Sequence, residues 1–147
     1  MGGGREGSEE GALTAGCSVD ASALYPLKLG ESLLDRLPLV AVLDLAVYEV
    51  GNAIWKGCRA RRVRDPKALA AVFGEVLSGV RVVRVGGEEM GEVLELAVAE
   101  GITFYDAAYL YAARKLGLKL ATEDSDLKKY PESLGAKGFI AELERSK

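Results

Sequence analysis

The chain has 147 residues, of which 49% are hydrophobic and 28% charged, and its formal net charge is -3. This composition is typical of a globular domain with a sizeable core and excludes a disordered protein, and no apolar run approaches the ~20 residues of a membrane span. The chain contains no histidine, which excludes Ser-His and Cys-His catalysis and the usual zinc ligands.

The cysteines, the net charge and the N-terminus limit the kinds of site and location that we expect for this protein. Cys17 and Cys58 fall in no metal-binding spacing, so we expect two thiols and neither a disulfide nor a zinc site. The small net charge argues against a protein that coats nucleic acid by overall charge, although a local basic patch is compatible with it. The N-terminus lacks the basic-then-apolar order of a signal peptide, so we expect a cytoplasmic protein that does not bind membranes.

The first part of the chain is predicted to be a leader followed by a strand that ends at an acid. Residues 1–16 hold six glycines and three glutamates among few apolar groups, which predicts a flexible leader before one domain at 17–147. The short apolar run Cys17-Ser18-Val19 predicts a strand that stops at Asp20. The next elements are predicted as short helices at 23–29 and 31–37, an apolar strand at 39–43, and a helix at 45–56 that Asp44 caps.

The second part is predicted to alternate helices and strands in the same way. Thr103 as N-cap and Gly117 as the closing residue bound an Ala- and Leu-rich helix at 104–116. The alternating Val and Arg residues of 80–85 predict a strand with one wet side, near a sheet edge. The remaining predictions are helices at 66–77 and 88–99, a buried strand at 118–122, a helical turn at 128–131 and a last strand at 138–140.

Strands that alternate with helices predict an α/β fold, a three-layer sandwich around a mostly parallel sheet. In such a fold the carboxyl ends of the strands, and the helix starts beside them, meet at one edge of the sheet. We place four acids at this edge, with Asp126 as a fifth: Asp20, Glu49, Asp106 and Asp124.

Four carboxylates in one cleft repel one another and raise each other's pKa unless a cation lies among them. Mg²⁺ and Mn²⁺ are the natural cations, because both take oxygen ligands from carboxylates, waters and phosphates. Such a site binds a phosphodiester and activates water for its hydrolysis without a histidine.

Each acid also has a simpler interpretation when it is taken singly. Asp20 could cap the next helix, and Asp106 could be the partner of Thr103 in a capping box. Glu49 could be a solvated helix residue, and Asp124 a turn or N-cap residue.

Four segments carry a resemblance to a known family. They are Val19-Asp20-Ala21-Ser22, then Asp44-Leu45 with Tyr48-Glu49-Val50-Gly51-Asn52-Ala53-Ile54-Trp55-Lys56, then Tyr105-Asp106-Ala107-Ala108-Tyr109, and Ala121-Thr122-Glu123-Asp124. In this order they resemble the motifs of PIN-domain nucleases, specifically the VapC-like toxins of prokaryotic toxin–antitoxin pairs. The resemblance runs from about Val19 to Leu127.

This resemblance implies a fold, an activity and partners. The fold would be a parallel sheet of about five strands between helices, usually in a dimer. The activity would be Mg²⁺- or Mn²⁺-dependent endoribonuclease cleavage, restrained by a small VapB-like antitoxin protein. Asp20, Glu49, Asp106 and Asp124 would bind the metal with possible help from Asp126, and three neighbours would orient ligands or waters: Ser22, Asn52 and Thr122.

Two further groups of residues gain an interpretation from the resemblance. Five cations in a run of nine residues could hold RNA phosphates near the acidic cleft, or could be a solvated helix end or a partner surface: Lys56, Arg59, Arg61, Arg62 and Arg64. Tyr105, Tyr109 and Tyr111 are expected in core and dimer packing, because a base-stacking platform needs exposed rings.

Three other functions remain open from the sequence. The first is a PIN nuclease that acts on DNA or in RNA processing. The second is a receiver-like signalling domain, which also gathers acids and Mg²⁺ at a sheet edge but requires a strand-borne acceptor Asp in mid-chain, where this chain has Glu49 in a predicted helix. The third is a non-catalytic PIN-like binding scaffold, against which the presence of all four acids argues.

Overall fold

A computed structural model describes residues 17–24 and 35–145 of the chain. The predicted leader at 1–16 lies outside these residues, as do most of the helices predicted at 23–29 and 31–37. None of the helices in the described ranges combines the length and apolar character that crossing a bilayer requires.

The centre of the fold is a sheet of five parallel strands, in the order β3-β2-β1-β4-β5. The prediction of an α/β fold around a parallel sheet of about five strands is therefore confirmed, and the strand with alternating Val and Arg lies at one edge. The strands are β1 (Cys17–Val19), β2 (Val40–Leu43), β3 (Arg81–Val83), β4 (Lys119–Ala121) and β5 (Ser133–Leu134).

Helices connect the strands and cover both faces of the sheet. In the described ranges these are α1 (Ala21–Leu24), α2 (Ala46–Arg59), α3 (Pro66–Gly79), α4 (Met90–Glu100), α5 (Phe104–Leu116), α6 (Ser125–Lys128) and α7 (Ala136–Arg145), with 3-10 turns at Leu37–Leu39 and Gly87–Glu89. The ends of α5 follow the sequence signals closely. Thr103 Oγ1 accepts a hydrogen bond from the backbone N–H of Asp106, and Gly117 takes the left-handed conformation, φ 67°, that ends a helix.

The core consists of two apolar layers, one on each face of the sheet. Cys17 and Val19 of β1 point into the layer that α2, α3 and α7 cover. Leu43 and Leu120 point into the opposite layer, which α4, α5 and α6 cover. Successive residues of a strand face opposite sides of the sheet, so each short strand contributes side chains to both apolar layers. The sheet with helices on both faces forms the three-layer sandwich.

The strand register brings the ends of the central strands to the same level. Val19 pairs with Val42 on one side and with Ala121 on the other. The backbone N–H of Asp20 then donates to the carbonyl of Ala121 at 3.0 Å. Asp20 therefore leaves the sheet beside the end of β4.

Two predictions about local structure are wrong. The segment Gly138-Phe139-Ile140 lies inside helix α7, where Phe139 and Leu143 bury one side four residues apart, and the fifth strand is Ser133–Leu134. The N-cap of α2 is Leu45, with no side-chain hydrogen bond, so Asp44 does not cap this helix.

Candidate functional site

Asp20 is a buried acid with hydrogen bonds to both carboxylate oxygens. Its side chain is only 5% exposed. Oδ1 accepts from the N–H of Ser22 at 2.9 Å and from the Ser22 hydroxyl, and Oδ2 accepts from the Thr122 hydroxyl at 2.6 Å. The N–H of Ala23 donates to Oδ1 at 3.3 Å, so Asp20 also caps the short helix α1, as its simpler interpretation proposes.

The hydroxyls of Ser22 and Thr122 connect Asp20 to the loop after β4. Thr122 is fully buried, and its Oγ1 accepts from the N–H of Asp124 at 3.0 Å while it donates to Asp20. Ser22 Oγ accepts from the N–H of Glu123 at 2.8 Å. These bonds fix the loop that carries Asp124 against the end of β1.

Asp106, Asp124 and Asp126 converge above this network. Each offers one carboxylate oxygen, and these three oxygens lie within 4.8 Å of one another. Asp106 comes from the first turn of α5 and Asp126 from the first turn of α6. Asp124 is the N-cap of α6, and its Oδ1 accepts from the N–H of Asp126 at 2.8 Å, so it caps a helix and belongs to the acidic group at once.

Glu49 reaches the same edge from the first turn of α2. Its side chain is half-buried, and its Oε1 accepts a hydrogen bond from the hydroxyl of Tyr109 on α5. Asp20 and Asp124 are near enough to raise the pKa of Glu49 by charge repulsion. Glu49 is therefore part of the acidic cleft and not a solvated helix residue.

Burial raises the pKa of Asp20, Glu49 and Asp106, and charge repulsion from neighbouring acids raises it further for Glu49 and Asp106. Burial, followed by the charges of Asp124, Asp20 and Asp126, raises the pKa of Asp106 from 3.8 to about 6. Burial is also the main cause of the raised pKa values of Glu49 and Asp20, which the hydrogen bonds from Tyr109 and from Ser22 and Thr122 partly offset. Repulsion of this kind is relieved by a bound cation or by protonation.

The donor set fits a hard divalent cation. Among residues 17–24 and 35–145, none of the five acids forms an ion pair with lysine or arginine. The three converging oxygens are the ligand type that Mg²⁺ and Mn²⁺ prefer. Asp106, Asp124 and Asp126 would hold such an ion, with Asp20 and Glu49 beside them.

The other predicted residues lie on α2 and in the segment that follows it. Asn52 is exposed on α2, three residues after Glu49. The five cations are all exposed, at and beyond the far end of α2: Lys56, Arg59, Arg61, Arg62 and Arg64. Arg59 is ten residues after Glu49 on this helix, which corresponds to about 15 Å along its axis.

Of the three tyrosines predicted in core and dimer packing, two contact the core: Tyr109 and Tyr111. Tyr109 is 2% exposed and packs in the core, whereas Tyr105 is 60% exposed. Core packing alone does not describe Tyr109, because its hydroxyl binds Glu49. The signal was present in the sequence, since Tyr109 follows Asp106 by three residues and such a pair shares one face of a helix.

Most of the described part of the chain matches a known domain. A family model described as PIN domain matches residues 19–133. The chain belongs to the PIN-domain family. The receiver-like alternative is therefore excluded.

Two relatives and one solved structure, all from Pyrobaculum aerophilum, are similar to this PIN-domain chain. The relative named Exonuclease VapC9 is 43% identical over 110 residues, which cover 74% of this chain and 80% of that protein. The relative named Ribonuclease VapC3 is 34% identical over 123 residues, which cover 77% of this chain and 93% of that protein. The crystal structure of PAE2754 superimposes with a TM-score of 0.79 and 37% identity, over 88% of this chain and 90% of that one.

Proposed function

We propose that this protein is a divalent-metal-dependent ribonuclease of the VapC type. The observation that carries the proposal is the convergence of one oxygen each from Asp106, Asp124 and Asp126 within 4.8 Å. The names of the two relatives, an exonuclease and a ribonuclease, support hydrolysis of a phosphodiester as the reaction.

The acids would divide into ligands and a base. Asp106, Asp124 and Asp126 would hold the ion, and Asp20 is kept in place beside them by Ser22 and Thr122. When bound, a divalent ion neutralises charge on the phosphate and lowers the pKa of water.

Glu49 is the proposed general base. Tyr109 occupies Oε1, which leaves Oε2 to accept the proton of the attacking water. The water oxygen adds to phosphorus, the bond from phosphorus to the leaving ribose oxygen breaks, and the proton that Glu49 takes from the water passes to that oxygen. The raised pKa of Glu49 brings this acid nearer to the working pH of a base.

The basic run is the proposed RNA contact outside the cleft. Its cations are exposed and begin about 10 Å along α2 from Glu49, since Lys56 follows Glu49 by seven residues. The distance of about 15 Å along α2 from Glu49 to Arg59 is longer than a single nucleotide. A substrate of several nucleotides would therefore contact both the acids and the run.

Endonucleolytic cleavage is the proposed mode, and exonucleolytic cleavage is the second candidate because the 43% identical relative is named an exonuclease. A circular RNA separates the two, because it has no end. Cleavage of a circular RNA into linear fragments supports the endonuclease, and cleavage of the linear form alone supports the exonuclease. A matched single-stranded DNA tests the alternative of a DNA nuclease.

The proposed partners are a small VapB-like antitoxin protein and a second copy of this chain. A short gene for a DNA-binding protein immediately upstream, whose product co-purifies with this chain and suppresses cleavage, supports the toxin role. Active protein without such a gene supports RNA processing instead. Light scattering of the purified protein decides whether it is a dimer.

The activity is tested by incubating purified protein with RNA, with and without Mg²⁺ or Mn²⁺. Asp20→Asn and Asp106→Asn keep the shape of each side chain and remove its charge, and we expect each to slow cleavage by about 100-fold or more. Glu75→Gln is the control, because it removes one charge from the exposed side of α3. Equal cleavage by all four proteins would indicate a contaminating nuclease and reject the site.

A further inference from the structure

A second cavity lies apart from the acidic cleft, between the edge strand β3 and helix α5. Its volume is about 380 Å³, and none of the five acids lines it. This volume is within the range of small-molecule sites, which is roughly 300 to 1,000 Å³. The cavity is large enough for an organic ligand and belongs to no part of the site described above.

Three cations surround this cavity: Arg81, Arg84 and Lys115. Within the described ranges, Arg81 forms no ion pair, and Arg84 has only a loose one with Asp44 at 3.8 Å, in which both side chains are largely exposed. Glu89 is the one acid in the lining. The lining therefore carries three positive charges and one negative charge, in a chain whose net charge is -3.

Lys115 is held by Glu89 and still has N–H donors available for a ligand. Lys115 pairs with Glu89, which also accepts from the hydroxyl of Tyr111 at 2.9 Å. An ammonium group has three N–H donors, so Lys115 keeps donors for a ligand. Arg81 and Arg84 offer planar guanidinium groups, which suit the oxygens of a phosphate.

The remaining wall of the cavity is apolar. It is formed by Val83 and Val85 from the strand side and by Ala112 and Leu116 from α5, next to the ring of Tyr111. An inorganic phosphate would neutralise the cations but leave this wall uncovered. A phosphate joined to a flat, weakly polar body would satisfy both parts.

We propose that this cavity is a nucleoside phosphate site, in which Arg81, Arg84 and Lys115 hold the phosphate and the apolar wall holds the base. The ligand is a free mononucleotide or one nucleotide of an RNA strand, which share this chemistry. Strand β2 lies between β3, which lines the cavity, and β1, which ends at Asp20. The two outer strands of this group are therefore about 10 Å apart across the sheet. The site is independent of the proposed cleavage and needs no metal.

The test is a titration of the full chain, followed by amide chemical shifts, with EDTA present to keep metal out of the acidic cleft. The probes are AMP, CMP, GMP and UMP, a short RNA oligonucleotide and inorganic phosphate. We expect shifts at Val83, Val85 and Ala112 with nucleotides at lower concentration than with phosphate. Shifts from mononucleotides indicate a free ligand, and shifts from the oligonucleotide alone indicate a nucleotide within a strand.

The double variant Arg81→Gln/Arg84→Gln should weaken nucleotide binding about tenfold or more, because two charge-assisted contacts are lost. The control Lys129→Gln/Lys137→Gln removes the same charge from exposed positions outside the cavity and should leave binding unchanged. Three results would overturn the site: no shifts with millimolar nucleotide, equal weakening by both double variants, or phosphate binding as tightly as nucleotides. Thermal unfolding of both variants confirms that they are folded.

Discussion

The hydroxyl of Tyr109 donates a hydrogen bond to Oε1 of Glu49 and so joins a core residue of α5 to an acid of α2. This bond favours the ionised carboxylate and lowers the pKa of Glu49 against the effect of burial. In Tyr109→Phe we expect the pKa of Glu49 to rise, so the acid limb of the cleavage rate against pH moves to higher pH. We also expect the free energy of unfolding to fall by about 1 kcal/mol.

Tyr130→Phe is the control for this prediction. It removes a hydroxyl that donates to Glu100 at 2.8 Å, away from the acids. Its stability should fall by a similar amount while its pH profile stays that of the wild type. An unchanged pH profile in Tyr109→Phe would contradict the proposed role of Glu49 as the base.

Thr122 stabilises the site through two hydrogen bonds of one buried hydroxyl. In Thr122→Val, Asp20 loses a donor and the N–H of Asp124 loses an acceptor, while the shape of the side chain is kept. We expect the free energy of unfolding to fall by about 2 kcal/mol, measured by urea denaturation. Ser133→Ala, which removes a single hydroxyl bond to the carbonyl of Leu127, should cost less. A Thr122→Val variant as stable as the wild type would show that these hydrogen bonds of the Thr122 hydroxyl do not stabilise the fold.

Asp106 gives the site a pH dependence of stability. Its pKa is raised from 3.8 to about 6, so the folded state holds this proton more tightly than the unfolded state. The resulting stability is complete below pH 3.8 and is lost as the pH rises through about 6. Without divalent metal, Asp106→Asn should therefore melt at a higher temperature than the wild type at pH 7.5, and the difference should disappear near pH 4.

Addition of Mn²⁺ should reverse this order at pH 7.5, because the ion stabilises the wild type through the ligand that Asp106→Asn lacks. Thermal unfolding at several pH values, with EDTA or with Mn²⁺, measures both effects. A variant that melts below the wild type in EDTA at pH 7.5 would show that burial and repulsion do not destabilise the ionised Asp106.

Arg61 takes a left-handed conformation, φ 60°, just after the end of α2. Such a conformation costs a non-glycine residue free energy, so Arg61→Gly should be as stable as the wild type or up to about 1 kcal/mol more stable. Arg62→Gly is the matched control, because it removes the same charge where φ is not positive, and it should be less stable. Urea denaturation measures the free energy of unfolding of both variants. A larger decrease in Arg61→Gly than in Arg62→Gly would contradict the prediction.

The sequence predicted elements well where local chemistry determines them. Thr103 and Gly117 bound α5 as expected, because an N-cap hydroxyl and a C-terminal glycine act within a few residues. The sequence does not predict β5, because Ser133–Leu134 has no apolar run and is a strand only through its pairing with β4. The segment around Phe139 predicts a strand when it is read alone, because three residues do not show the four-residue spacing to Leu143.

The candidate site was predictable as a set of acids but not as an arrangement. The ends of parallel strands meet at one edge, so Asp20 and Asp124 could be placed there from the sequence. Which oxygens converge depends on side-chain directions that tertiary contacts set. Asp126, a fifth acid in the sequence, joins Asp106 and Asp124, and its backbone N–H is held by the side chain of Asp124 at the start of α6.

We propose that one divalent ion binds to Asp106, Asp124 and Asp126 together. Calorimetric titration of the purified protein with Mn²⁺ tests it without any substrate. We expect one ion per chain, with affinity reduced about tenfold or more in Asp106→Asn and in Asp124→Asn, which keeps its helix cap, and unchanged in Glu75→Gln. Wild-type affinity in both aspartate variants would contradict the claim.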